Sequence, residues 1–405
     1  MNSKINLVAA AFMLTALSYG IARFAYGLFL PQIREELSLG MVAAGWIAGS
    51  AFAAYCLGIL LAFCSSATFS ARSIALSAGI AATLGMALVA LARSEWSLGL
   101  GIALAGLSTG LTSPPLATAV GHRFAELDRP KANAVINAGT AAGIIFSGLA
   151  ALTVAGAWRE LYAVFALLGA GISAWLWFAV PASATRESPQ GISFTLLGRP
   201  GLLPLCVGAL LMGVSSTAVW SFGANILRGD FNFDATQIAW IWIALGIAGL
   251  SGSVTGLLTN RFGTRRVLAF ALLAMAAGTL GLVTASLSTL NAFVSISVFG
   301  AAYIIATGVY LIQGIDLLPD RPDLGLGIPF LVLALGQAAG APLFGSVQEV
   351  IGTTTTTALF SAIACLAIAF RPQADAANAL RTGKPLDEPD QLVANRARNR
   401  RKPSC

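Results

Sequence analysis

Arg23 is the residue with the most to explain. It lies about fifteen positions into an apolar run that spans residues 7–30, roughly 22 Å along a helix from where the run begins, at 1.5 Å per residue. A charge at such depth is costly and marks a functional site by default. Thr15, Tyr19, Arg23 and Tyr26 follow at spacings of 4, 4 and 3, which puts them on one face of an α-helix. A guanidinium between two phenols suits a carboxylate: the fork binds its two oxygens and the rings pack beside it. Three structural roles compete with that one. Arg23 could snorkel outward, hold backbone carbonyls, or pair with an acid such as Glu35 or Glu36.

A second polar stripe lies at Tyr303, Thr307 and Tyr310, again at spacings of 4 and 3, extended by Gln313 and Gly314. Such a stripe can equally be packing. Ser108, Thr109, Thr112 and Ser113 precede Pro114-Pro115, where hydroxyls can satisfy backbone groups that proline frees. Asn133, Asn137 and Thr140 share a face and can act as polar glue between helices. His122, the only histidine, follows an apolar run beside Arg123 and reads as a loop residue. Gly99-Leu-Gly101 has no strand before it and is not a nucleotide loop. No Walker loop, nucleophile elbow or metal-ligand pair occurs, so neither an enzyme nor an ATP-driven pump is expected, and no catalytic residue, metal or cofactor. Glu160, Asp316 and Glu349 stand near the ends of apolar runs, away from any mid-membrane relay position.

The elements that must hold these residues follow from composition. Hydrophobic residues make up 57% and charged residues 10% of the 405-residue chain, and the mean hydropathy is +0.80. A soluble domain carries roughly 25% charged residues, so most of this surface faces lipid. The 43 glycines fit membrane helices whose backbones approach closely. The net charge of +7 forms no patch: eight of the 24 Lys and Arg lie in the last 35 residues, which excludes a nucleic-acid partner. Cys56, Cys64, Cys206, Cys365 and Cys405 show no paired spacing, so they are fillers and not a disulfide framework.

Windows of about 20 apolar residues, enough to cross a hydrocarbon core roughly 30 Å thick, predict twelve spans. They fall at 7–30, 42–64, 73–93, 97–120, 133–154, 158–180, 202–226, 236–258, 267–287, 291–315, 327–348 and 352–370. The first reads as a retained span and not a cleaved signal peptide. The polar segment 181–200 separates two sets of six, 1–180 and 201–370, and residues 371–405 read as a disordered basic tail. Twelve spans put both termini on one side. Eleven Lys and Arg then fall in segments on the terminal side before the tail, against four (Arg34, Arg93, Arg159, Arg228) on the other. The positive-inside rule makes the terminal side cytoplasmic.

The two sets echo each other. Asp128-Arg129-Pro130 matches Asp320-Arg321-Pro322, the segment Gly139 to Gly143 (GTAAG) matches Gly336 to Gly340 (GQAAG), and Gly58 matches Gly256. Parallel six-span repeats around a central axis are a transporter design with the site at their interface. The loop Gly256-Leu-Leu-Thr-Asn260-Arg261-Phe-Gly263-Thr-Arg265-Arg266 resembles the signature loop of the major facilitator superfamily, G-x-x-x-D-R-x-G-R-R, with Asn for the acid. The glycine there would let helices pack closely, and the arginines would anchor topology, cap helix ends and bridge the halves. The first-half copy is nearly erased, leaving Gly58 and Arg72. Gly20-Ile-Ala-Arg23-Phe24-Ala-Tyr26-Gly-Leu-Phe-Leu-Pro31 is similar to the opening of the YbfB/YjiJ-type branch of that superfamily.

The resemblance implies an all-α membrane protein of twelve helices in two pseudo-symmetric six-helix bundles. Spans 1, 4, 7 and 10 would line a central cavity, bringing Arg23, Tyr19 and Tyr26 to face Tyr303, Thr307 and Tyr310. It implies a monomeric secondary transporter of the cell inner membrane, working by alternating access on a small-molecule substrate with or without a proton. The positive charge of Arg23 points to a small organic anion. Efflux of amphipathic compounds and a non-transporting sensor on the same scaffold are the competing readings.

Overall fold

The computed structural model describes residues 3–153, 156–182, 199 and 201–371. Most of the segment 181–200, expected as the central polar loop, and residues from 372 onward, expected as a disordered basic tail, lie outside the described residues. No strand occurs among the described residues. The helices are α1 Ser3–Leu37, α2 Met41–Ser65, α3 Ala71–Leu91, α4 Glu95–Arg123, α5 Arg129–Thr153 and α6 Trp158–Ala179. After them come α7 Leu202–Trp220, a short helix Gly223–Phe231, α8 Ala235–Phe262, α9 Thr264–Ala285, α10 Thr289–Leu317, α11 Pro322–Ile351 and α12 Thr353–Phe370.

Eleven of these, all but α4 and the short helix, are long and apolar enough to cross a membrane. α4 has the length, 29 residues, but its Gly, Ser, Thr and Pro residues dilute its apolar character. It nevertheless lies alongside α2 and α3 in close backbone contact. A Cβ at Gly106 would stand 2.1 Å from the Ala51 carbonyl, and one at Gly85 would stand 2.5 Å from the Ala105 nitrogen. Large apolar side chains such as Leu91, Leu167, Phe178, Leu203, Phe270 and Leu290 stand exposed on the outside, the reverse of what water would allow and what lipid requires.

Local chemistry sets the helix ends. Ser70, Ser94, Asp234 and Ser288 accept from the backbone three residues on, covering amides that the first turn leaves open. Gly263 at φ +82 and Gly352 at φ +79 let the chain leave one helix and enter the next, a backbone state that a side chain would strain.

The interior is assembled glycine against backbone. In the first half, Gly139 and Gly143 of α5 press on α1: Cβ atoms there would stand 2.5 Å from the Phe12 carbonyl and 2.2 Å from that of Ala16. In the second, Gly336 and Gly340 of α11 press likewise on Leu210 and Val214 of α7, at 2.2 and 2.7 Å. The two echoing segments therefore do the same work, each docking the fifth helix of its set on the first. The matched pair Gly58 and Gly256 does not. Gly58 is crowded by the Leu107 carbonyl at 2.5 Å, whereas a Cβ on Gly256 would meet nothing.

Between the two halves of the chain the contacts gather toward the end that carries Leu37 and Met41. A Cβ on Gly27 would stand 2.0 Å from the Trp220 carbonyl, on Gly45 2.6 Å from that of Ala341, and on Gly345 2.4 Å from that of Met41. Polar contacts rim the same end: Arg34 donates to Asn225 (2.8 Å), Arg228 to Glu35 (3.4 Å) and the Val42 amide to Glu349 (3.3 Å).

Candidate functional site

Arg23 stands where these contacts begin. The segment Ala16–Arg23 of α1 is a π-helix, with bonds from i to i+5 in place of i to i+4. Two neighbours hold it. Gly20 lies on Gly143, where a Cβ would come within 2.4 Å of the facing Cα, and the Thr109 hydroxyl of α4 donates to the Ser18 carbonyl at 2.8 Å. The hydroxyl-rich stretch of α4 thus serves α1 as well as itself, since Ser108 and Thr112 bond carbonyls of their own helix.

The Arg23 side chain is 8% exposed. Three rings surround its guanidinium carbon, Tyr55 at 4.5 Å, Phe24 at 4.8 Å and Phe52 at 5.0 Å, and their negative faces partly replace lost water. Its Nη2 donates to Oε1 of Gln337 on α11. Its Nε is buried with no hydrogen-bond partner, and no carboxylate pairs with it among the described residues. The acids considered as partners are engaged elsewhere. Glu36 accepts from Arg159 and Trp158, and Glu35 from Arg228.

Gln337 ties three helices together. Its amide nitrogen donates to Ser216 of α7 at 3.1 Å and to the Tyr303 hydroxyl of α10 at 3.2 Å. Trp220 packs edge-on to Tyr303 (5.3 Å) and stacks on Phe24 (4.2 Å), closing the cluster toward the Leu37 end. On the other side, Tyr19 shares a hydrogen bond of 2.8 Å with Ser113, exposed, and meets Tyr55 edge-on at 6.2 Å. The result is a buried cation with an aromatic wall and a hydroxyl-lined approach.

Of the residues expected to face each other, Arg23, Tyr19 and Tyr303 come together here. Tyr26 does not join them: its hydroxyl donates to the Ala44 carbonyl (3.1 Å) in a fully packed position. The 4-4-3 spacing assumed α-helical turns throughout, and the π segment shifts the faces. Thr307 turns its hydroxyl back to the Tyr303 carbonyl at 2.8 Å. Tyr310 is buried against Gly208 of α7, its hydroxyl unpartnered among the described residues. Sequence reasoning passed over Tyr55, Ser216 and Gln337. Gln337 left a signal, as the one polar side chain between Leu331 and Gly345.

The loop with the arginines is remote from this cluster. Asn260 and Arg261 end α8 exposed, Arg261 lies over the Phe262 ring at 5.4 Å, Gly263 makes the break, and Arg265 and Arg266 open α9. Close packing expected of Gly256 is absent, because its helix face is open. The four described cysteines are free thiols, and no metal-binding group occurs among the described residues.

Residues 12–341 match the family model of the Major Facilitator Superfamily. The chain is 27% identical over 346 residues to Transcription regulatory protein OpdE of Pseudomonas aeruginosa, covering 82% of this chain and 83% of that one. It is 23% identical over 363 residues to Monocarboxylate transporter 13 of Rattus norvegicus, covering 87% and 84%. Its fold matches a bacterial homologue of the human lysosomal transporter Spinster with a TM-score of 0.73 at 17% identity, over 91% of this chain and 96% of that one. With a family match over four-fifths of its length, this chain belongs to the major facilitator superfamily.

Proposed function

We propose that the chain is a secondary transporter of a small organic anion, working by alternating access of two six-helix bundles, 1–180 and 201–370, with α4 as the twelfth span. One observation carries the cargo: Arg23 is a buried guanidinium with an empty Nε and no carboxylate partner among the described residues. Desolvating an unpaired charge is expensive, and an anionic ligand supplies the missing partner. Arg23 binds the carboxylate, with Tyr19 and Tyr303 beside it. The name of the rat relative, a monocarboxylate transporter, supports the same class.

The halves meet at the Leu37 end, and Tyr19 and Ser113 are reached from the Ser3 end. With the arginine-rich end cytoplasmic in the inner membrane, this conformation is inward-facing. Tyr26, Thr307 and Tyr310 belong to the packing in this state, and the arginines from Arg261 to Arg266 anchor the cytoplasmic surface. A second reading has its own observation: the Pseudomonas relative is named a transcription regulatory protein, which favours a sensor that binds the anion without moving it. Efflux of amphipaths, in which the aromatic wall binds and Arg23 only holds helices, is the third.

A thermal-shift screen of the purified protein against small carboxylates and amphipathic drugs, repeated on Arg23→Gln, tests the anion. A carboxylate at a hundred times its Kd should stabilise the wild type by about 2.7 kcal/mol and leave the variant unmoved. Equal stabilisation of both forms by amphipaths would make Arg23 structural. Uptake of the responding carboxylate into proteoliposomes then separates transporter from sensor.

A further inference from the structure

We infer that Gln337 is a tethered surrogate for the ligand: its carboxamide oxygen occupies the anion's place on Arg23 until a carboxylate displaces it. The inference rests on the anion reading above and names the residue that the ligand must compete with. Nε and Nη2 lie on one edge of a guanidinium, the edge a carboxylate grips with two oxygens. In this structure that edge is half-filled. Gln337 Oε1 accepts from Nη2, and Nε beside it is buried without a partner. An amide has one oxygen and no charge, so it satisfies one prong and neutralises nothing. A carboxylate satisfies both prongs and cancels the charge.

The surroundings aim the amide at this task. Its nitrogen end is fixed by Ser216 and Tyr303, which orients the oxygen toward Arg23. Gly336 lies against Leu210, and Gly340 against Val214, so the backbone that carries Gln337 is seated on α7 and the side chain is the movable part. The bond also joins α1 of the first half to α11 of the second. Displacing it replaces a direct strap between the halves with one that runs through the ligand. Occupancy of the site is thereby linked to how the halves are held together. Glutamine is the side chain that permits this exchange, since a glutamate there would close the ion pair permanently.

The experiment compares full-length wild type, Gln337→Glu and Gln337→Met in detergent, with acetate, L-lactate, benzoate and succinate as probes, reading melting temperature and Kd. Gln337→Glu should melt higher than wild type without ligand and bind the responding carboxylate at least tenfold more weakly, because the tethered acid is present at high effective concentration. Gln337→Met keeps the length and removes the competing oxygen. It should melt lower and bind that carboxylate about tenfold more tightly, the worth of one hydrogen bond to a charged group. If Gln337→Glu responds to carboxylates as the wild type does, or Gln337→Met binds no more tightly, the surrogate role is wrong while the anion reading stands. If Gln337→Glu does not fold, the methionine variant decides alone. If the wild type responds to none of the four, the anion reading fails and this inference falls with it.

Discussion

A guanidinium in a water-poor helix bundle must be solvated by the protein, and Arg23 is solvated by three rings and one amide oxygen. Its burial inside the bundle was legible from its type and depth, because charge inside an apolar run is rarely lipid-facing. The nearness of Tyr19 and Tyr303 was legible in the two stripes that the family resemblance sets face to face. Tyr55 and Ser216 were not, since their roles depend on how α2 and α7 are rotated against α1, and helix rotation leaves no mark in a uniformly apolar segment. Thr109 shows the same limit. Its place before two prolines pointed to local kink repair, but its hydroxyl serves the Ser18 carbonyl of another helix. Thr109→Val should lower stability by about 1 kcal/mol by leaving that carbonyl short of a donor, although bonds between membrane helices average nearer 0.6 kcal/mol. Thr118→Val, which loses only a bond to Pro114 of its own helix, should cost under about 0.5 kcal/mol. Thermal unfolding followed by tryptophan fluorescence separates the two.

At the scale of elements, glycine decides which helices touch. The echoing segments in α5 and α11 were legible as close-packing motifs, and each seats on the first helix of its own half. The signature-loop glycine was misread because a family pattern names a position without saying what stands opposite it. Opposite Gly256 there is nothing, while opposite Gly143 there is backbone. The two should therefore respond in opposite directions to added carbon. Gly143→Val forces α1 and α5 apart at the π segment and should cost 3 kcal/mol or more, on the order of the worst overpacking; little monodisperse protein should survive size-exclusion chromatography. Gly256→Ala should gain about 0.5 kcal/mol from helix propensity. The π segment was invisible to pattern reading, because its residues are ordinary and its register is imposed by Gly143 and Thr109 from outside.

For the whole molecule, lipid made the architecture legible: a fixed hydrocarbon thickness dictates span length, and eleven of twelve anticipated spans are long and apolar enough. The α4 helix falls short on apolarity because of its Gly, Ser, Thr and Pro residues, of which Thr109 and Ser113 reach α1. What no span count could tell is which end is shut. That end is closed by a backbone seam at Gly27, Gly45 and Gly345, rimmed by the Arg228–Glu35 pair. The pair is 44% and 63% exposed, and exposed pairs are worth about 0–1 kcal/mol, so the seam should dominate. With Cys64, Cys206, Cys365 and Cys405 replaced by serine, a cysteine introduced by Asn225→Cys, buried at that end, reports closure through its labelling rate with a membrane-impermeant maleimide. Gly345→Val should raise that rate several-fold, and Glu35→Gln should change it by less than about twofold. Equal increases would give the closure to the ion pair instead. The unpaired charge of Arg23 has a further, electrical consequence. In the alternating-access anion carrier proposed above, the membrane voltage falls across whichever side is sealed, so a fixed central cation is in turn at the potential of each compartment. Carrying an anion, the centre is neutral and the voltage has no hold on it. Empty, it is a gating charge worth about 2.3 kcal/mol per 100 mV, and a membrane negative inside would hold the vacant carrier open toward the cytoplasm.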